Sequence, residues 1–237
     1  MIKKLLFASL LCSLCLNLSG QSRKNFKPEW NIGIGAGPTF SSVDFQAGTI
    51  NSEGVSTSTK QQLSGGISGR YISEKNLGII VELNYSQQGW DEQFPSDDLN
   101  YEGATYSRQL NYLEMPILTH IYFGRKVRFF INLGPKISYL ISEKEEINDV
   151  LANYISSGNL PARKATDQYY KKIENKFDYG IMGGMGVEFR SGIGNFALEG
   201  RYYFGLSDIY SNSKSAYFGR SANQVISARL TYYTKLF

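Results

Sequence analysis

The chain has 237 residues, 42% of them hydrophobic and 19% charged, with 24 glycines, one histidine and a formal net charge of +4. That apolar content excludes intrinsic disorder, and one histidine with two cysteines argues against a zinc site or a thiol enzyme. Beyond the first 20 residues no apolar run approaches the roughly 18 residues of a spanning helix, which excludes a helical membrane protein.

The first element is a leader. Met1-Ile2-Lys3-Lys4 precedes an apolar run from Leu5 to Leu18, followed by Ser19-Gly20-Gln21. A positive start, a short apolar stretch and a small residue before the cut predict a secretory signal peptide over residues 1–20. The remaining 21–237 then form a single domain. Cys12 and Cys15 both fall inside the leader, and Leu11 and Leu14 stand where a lipoprotein signal needs small residues, so lipidation is not expected. Removing 20 of 237 residues leaves 217, and losing Lys3 and Lys4 but no acid lowers the charge from +4 to +2. So small a charge makes no case for nucleic-acid binding. The mature chain has no cysteine, so no disulfide is available to it.

Beyond the leader the period is two. Trp30, Ile32, Ile34 and Ala36 alternate with Asn31 and glycines; Leu63, Ile67 and Tyr71 alternate with Ser64, Ser68 and Arg70; Ile79, Val81, Leu83 and Tyr85 alternate with Glu82 and Asn84. The fourth strand runs Leu113 to Phe123 and the fifth Val127 to Ile141, with Phe129, Ile131, Leu133, Ile137 and Tyr139 on one face. Phe177 to Arg190, Phe196 to Ser207 and Ile226 to Tyr233 complete eight strands. Fifteen alternating residues in the fifth exceed an ordinary globular strand of about 5–6. Tight polar or glycine turns at 73–76, 124–126 and 191–195 alternate with long links at about 42–60, 90–106, 142–175 and 209–222. That alternation is the pattern of an outer-membrane barrel, with short periplasmic turns and long extracellular loops.

Charge placement strengthens this reading. No Asp, Glu, Lys or Arg stands on the apolar face of any strand. The opposite face carries Arg70, Glu82, Glu114, Arg128, Lys136, Asp178, Glu188, Arg190, Glu199, Arg201 and Arg229. A charge against lipid at the midplane costs about 2–4 kcal/mol, whereas a lumen charge can be paired. The alternative, a soluble periplasmic β-sandwich or lipocalin-like barrel, would show the reverse. Five acids against six bases predict a paired lumen network, with Glu114–Arg128 and Glu188–Arg201 as candidate pairs. Tyr71, Tyr85, Phe123, Phe129, Tyr139, Phe189, Phe196 and Tyr202 fit interfacial girdles.

Four segments in order resemble the PorT-like family of outer-membrane β-barrels. They are Leu110-Asn111-Tyr112-Leu113-Glu114-Met115-Pro116-Ile117-Leu118; Gly134-Pro135-Lys136-Ile137-Ser138-Tyr139-Leu140; Phe177-Asp178-Tyr179-Gly180 with Gly184-Met185-Gly186-Val187-Glu188; and Leu198-Glu199-Gly200-Arg201-Tyr202 with Gly205-Leu206. The resemblance implies a porin-family barrel in a Gram-negative outer membrane and implies little chemistry. Phe237 ends the chain, as aromatics often do in such barrels, but it is out of phase with Ile226 to Tyr232. Either Tyr232 serves as the terminal signal or a bulge shifts the register.

Candidate chemistry is sparse. His120 could be a general base, but it sits by the Gly124 turn, and no Ser–His–Asp set assembles at the outer mouth, so a hydrogen-bonding lumen residue is the favoured reading. The glycines at 33, 35 and 37 and at 183, 184 and 186 lie within strands and make room for bulky lumen side chains rather than cradling phosphate. Asp91, Glu92, Asp97, Asp98 and Glu102 lack calcium-loop spacing and are read as solvated. The third loop carries Glu143, Glu145, Glu146 and Asp149, then Arg163, Lys164, Lys171 and Lys172, and could form a short helix or a hairpin. The sequence therefore predicts an all-β, eight-stranded antiparallel up-and-down transmembrane β-barrel without catalytic, metal or cofactor site. Its expected role is structural or loop-mediated, with a narrow channel second and a lipid-modifying enzyme third. Expected partners are outer-membrane lipid and lipopolysaccharide, the barrel-assembly machinery during insertion and a protein at the surface loops, but no nucleic acid.

Overall fold

A computed structural model describes residues 26–48, 55–92, 94, 103–157, 168–212 and 216–236. The leader, Asp97, Asp98, Glu102, Arg163, Lys164 and Phe237 lie outside them. Eight strands form one closed antiparallel ring in chain order: β1 (Glu29–Ala47), β2 (Thr57–Glu74), β3 (Leu77–Glu92), β4 (Tyr106–Gly124), β5 (Val127–Ile147), β6 (Phe177–Ser191), β7 (Gly194–Gly205) and β8 (Phe218–Lys235). β1 pairs with β8, so the sheet has no end strand.

Three tight turns join β2 to β3, β4 to β5 and β6 to β7. Asn76 takes a φ of 76° and Gly124 one of 112°, the left-handed backbone a short hairpin needs. The side chains then alternate out and in as expected. Ile34, Ile67, Phe129, Ile131, Met185 and Ile226 are exposed on the outer wall, while Asn31, Arg70, Glu82, His120, Asn132 and Glu199 are buried inside.

Aromatic rows bound the outer apolar band. At the turn end, Trp30 faces Tyr71, Phe123 faces Phe129, and Phe189 faces Phe196, which faces Tyr232. The Trp30 and Tyr71 ring centroids are 4.6 Å apart. At the loop end, Tyr85 pairs with Leu113, Leu113 with Tyr139, and Tyr139 with Phe177. From Phe129 to Tyr139 is ten residues along β5; at about 3.3 Å per residue and a tilt near 40°, this spans roughly 25 Å, the height of a lipid-facing band. Among the described residues Tyr232 is the outward aromatic nearest the chain end, and the register of β8 against β1 does not shift from Asn223 to Lys235.

Strands β1 to β5 and β8 run past the upper aromatic row, and there the alternation keeps its period but reverses its polarity. On β4, Tyr106, Leu110 and Tyr112 point inward while Ser107, Gln109 and Asn111 point outward. On β3, Trp90 is buried and Asp91 faces out. On β5, Ile141 is an extra residue in the pairing with β4: Asn111 faces Ser142 and Tyr112 faces Leu140. This bulge turns Glu143 and Glu145 toward the interior. The expected third loop is thus partly strand, followed by one short helix, α1 (Asp149–Ser157). Asn148 caps α1 by accepting the Leu151 N–H at 3.1 Å.

Candidate functional site

The lumen concentrates the polar chemistry, and its contents lie in layers from the turn end to the loop end. Ile72, Tyr122, Phe130, Ala197 and Tyr233 form an apolar floor, against which Phe26 packs from the segment before β1. Above it, Glu188 holds two arginines: Arg70 through Oε2, and Arg128 through Oε1 at 3.4 Å. Arg70 also lies over the Tyr233 ring at 4.0 Å and Arg128 over Tyr122 at 4.1 Å. These stacks apply the quadrupole of each ring to a desolvated cation.

The next layer centres on Arg201. Its guanidinium donates from both terminal nitrogens to Glu82, each at 2.8 Å, and also to Glu199 at 2.7 Å. Asn84 donates to Glu82 at 2.9 Å, Asn132 to Glu199 at 2.7 Å, and Arg229 Nε lies 4.0 Å from Glu82. Lys136 pairs with Glu114, which also accepts from Gln88, and its Nζ sits 3.5 Å above the Tyr203 ring. Asp178 is held by neutral donors. It accepts from Ser207 at 2.5 Å, Tyr203 at 3.1 Å and Asn223 at 3.3 Å. Arg190 stands apart at the turn-end rim, 3.2 Å from Glu29.

The expected partner choices need correction. Glu114 binds Lys136, not Arg128; Glu188 binds Arg70 and Arg128, not Arg201. The register explains both. Glu114 faces Ser138 whereas Arg128 faces Gly124, ten residues farther along β4. Glu188 faces Ala197, four residues from Arg201 on β7. Two of the actual bonds join opposite walls: Arg70 on β2 reaches Glu188 on β6, and Arg201 on β7 reaches Glu82 on β3. In a ring of eight these strands are diametrically opposed, so the bonds cross the bore.

Among the described residues little space remains. The cavity among Thr39, Asn84, Glu114, Arg201, Tyr203 and Arg229 is about 20 Å³, near the room that one water needs. Wall glycines make the filling possible. A Cβ on Gly35 would lie 2.7 Å from Arg229 Nε, and one on Gly186 would lie 2.6 Å from Phe130. Both positions fit the space-making reading of the glycine runs.

His120 is buried in the lumen, with Nδ1 2.8 Å from Asn132 Oδ1 and its ring centroid 5.5 Å from that of Tyr122 and 5.3 Å from that of Phe130. Among the described residues, no group of three His, Cys, Asp or Glu side chains is placed to hold a metal ion.

The loop end holds a second core that the sequence reading missed. Phe45, Trp90, Tyr106, Tyr210 and Phe218 pack across the mouth, with centroids 5.2 Å apart for Phe45–Trp90, 5.1 Å for Phe45–Phe218 and 5.4 Å for Tyr210–Phe218. Leu151 of α1 and Ile173 join them from the loop. Arg108 ties this lid down: it bonds Glu143 at 2.5 Å, Glu145 at 3.1 Å and the Lys171 carbonyl at 2.6 Å. The continued alternation on β1, β3 and β4 was the signal for these residues, hidden because its apolar members change faces.

A family model described as outer membrane protein beta-barrel domain matches residues 19–211. No curated protein matches the sequence. Solved structures similar to the chain include Ail, the attachment invasion locus protein of Yersinia pestis, at 10% identity, covering 88% of this chain and 100% of that one with a TM-score of 0.40. Outer membrane protein W of E. coli matches at 15% identity, 86% and 97% coverage and a TM-score of 0.39. A major outer membrane protein from Thermus thermophilus matches at 9% identity, 89% and 100% coverage and a TM-score of 0.41.

Proposed function

Because the chain belongs to the outer membrane protein beta-barrel domain family and resides in the outer membrane, we propose that it is a non-enzymatic barrel with a closed lumen that works through its outer surface and loops. The observation that carries this reading is the filled bore: apolar floor, two charged layers with bonds across the barrel, and an aromatic lid. An ion would have to separate desolvated pairs to pass, at a cost of several kcal/mol for each broken pair. In planar bilayers the unmutated protein should show no steady conductance. A stable, porin-sized current would make the narrow-channel reading the better one.

The four strand motifs from Leu110 to Leu206 support a finer assignment among PorT-like members. The leader reading supports export by cleavage of residues 1–20, and insertion by the assembly machinery follows from it. We read the turn end as periplasmic and the loop end as external, with α1 at the cell surface. The cysteine-free mature chain makes a clean test. With Ser157→Cys, intact cells should react with a membrane-impermeant maleimide; with Lys75→Cys they should react only after the outer membrane is opened. The opposite pattern would invert the orientation.

A further inference from the structure

The rim is not level. β1 to β5 and β8 rise above the upper aromatic row, whereas β6 begins at Phe177 and β7 ends at Gly205. On this low side the outer surface carries a groove of about 560 Å³, within the roughly 300–1,000 Å³ of small-ligand sites. Its floor is Tyr139, Phe177, Tyr179 and Leu206, all exposed on the wall. Three backbone links set that floor: Tyr139 faces Phe177, the Lys176 carbonyl accepts the Leu140 N–H at 2.8 Å, and the Leu206 N–H donates to the Tyr179 carbonyl at 2.9 Å.

Polar groups form the upper edge, and their positions are fixed by bonds between segments. Asp208 accepts the Ser221 N–H at 2.6 Å and the Asn212 amide at 2.8 Å, and its carbonyl accepts the Asn175 amide at 2.8 Å. Glu174 accepts the Ser211 N–H at 2.5 Å and pairs with Lys171 at 3.1 Å. The Ser211 bond holds the Glu174 carboxyl below the ordinary carboxylate range, so it is ionised at neutral pH. Lys176 adds an exposed cation at the same edge.

We propose that this groove seats the phosphorylated sugar headgroup of an outer-leaflet glycolipid of the lipopolysaccharide class, with the start of an acyl chain along the wall below. Continuity with the lipid-facing band selects the occupant. The floor is the top of that band, so a molecule filling the groove is apolar beneath and polar above. Ring faces suit sugar C–H groups, carboxylate and carbonyl oxygens suit sugar hydroxyls, and Lys176 suits a phosphate as a point charge. A glycerophospholipid has the phosphate and chains but not the ring of hydroxyls. The proposal takes the loop end as external; binding in micelles does not depend on orientation, so its failure is distinguishable from a failure of the surface-labelling experiment.

The test is native mass spectrometry of the mature protein in detergent micelles, titrated separately with lipid A and with phosphatidylglycerol. Lipid A should be retained at concentrations about tenfold lower than phosphatidylglycerol, and Lys176→Gln with Tyr179→Leu should remove about that factor. Lys60→Gln, at the far side of the rim, should change retention by less than about twofold. If the double variant does not fold, as judged by heat-dependent gel mobility, Lys176→Gln alone carries the comparison. Equal retention of the two lipids, unchanged binding in the groove variants, or an equal loss with Lys60→Gln would overturn the assignment.

Discussion

Replacing Arg201 by methionine should lower the unfolding free energy by about 3–5 kcal/mol, the usual cost of leaving buried partners of a broken ion pair uncompensated. Glu82 and Glu199 would both remain, buried, without the guanidinium that bonds them three times. The cause can be separated from lost packing. Combining Arg201→Met with Glu82→Gln and Glu199→Gln removes the orphaned charges and should recover most of the loss. The readout is the denaturant midpoint of the folded gel band in micelles. A single variant within about 1 kcal/mol of the parent, or a triple variant no better than the single, would show that the charged layer does not hold the walls together.

Trp90→Ala should have a comparable effect through different physics. Trp90 is fully buried between Phe45 and Tyr106 at the loop-end mouth. Truncating a buried tryptophan costs about 3–5 kcal/mol, part of it for the cavity left behind. Trp90 lies above the lipid-facing band, so the damage should stay at the lid. Protease should cut within 168–176 many times faster, while the transmembrane wall keeps its heat-dependent mobility shift. Loss of both together would mean that lid and wall unfold as one unit, and unchanged proteolysis would mean that the aromatic cluster does not anchor the loop.

The difference between those two layers also explains what was legible in the sequence. A bilayer forces every wall strand to put apolar residues outward, so Val127 to Ile141 or Phe196 to Leu206 could be read from alternation alone. All eleven named charges fall on the inner face or at its turn-end rim because the lipid side excludes them. Their partners were not legible. Hairpin register places Arg128 beside the turn and Glu114 far from it, and cross-bore bonds depend on which strands oppose each other in the closed ring. The strand ends beyond the bilayer were misread for another reason. Outside lipid the solvent preference reverses, so Tyr106, Leu110 and Tyr112 turn inward while Leu113 and Met115, just below, face out. Following one apolar face therefore stopped each strand at the membrane boundary and left Trp90, Tyr106 and Phe218 to the loops. The bulge at Ile141 hid Glu143 and Glu145 in the same way, by moving their parity.

The bonds across the bore set an order for assembly. Arg70 and Glu188 are 118 residues apart in the chain, and Arg201 and Glu82 are 119 apart. No single hairpin contains either pair, and a growing sheet of the first four strands holds Arg70 and Glu82 with neither cross-bore partner. Those charges gain their counter-ions only when β6 and β7 arrive and the ring curls shut. Such distant contacts come late and slow the folding of a chain. Until then the polar side of the sheet must stay wet or be shielded by another surface. An arrested half-barrel would thus expose a stripe of unneutralised charge rather than a stable fragment, and closure would be the step that commits the chain to the membrane.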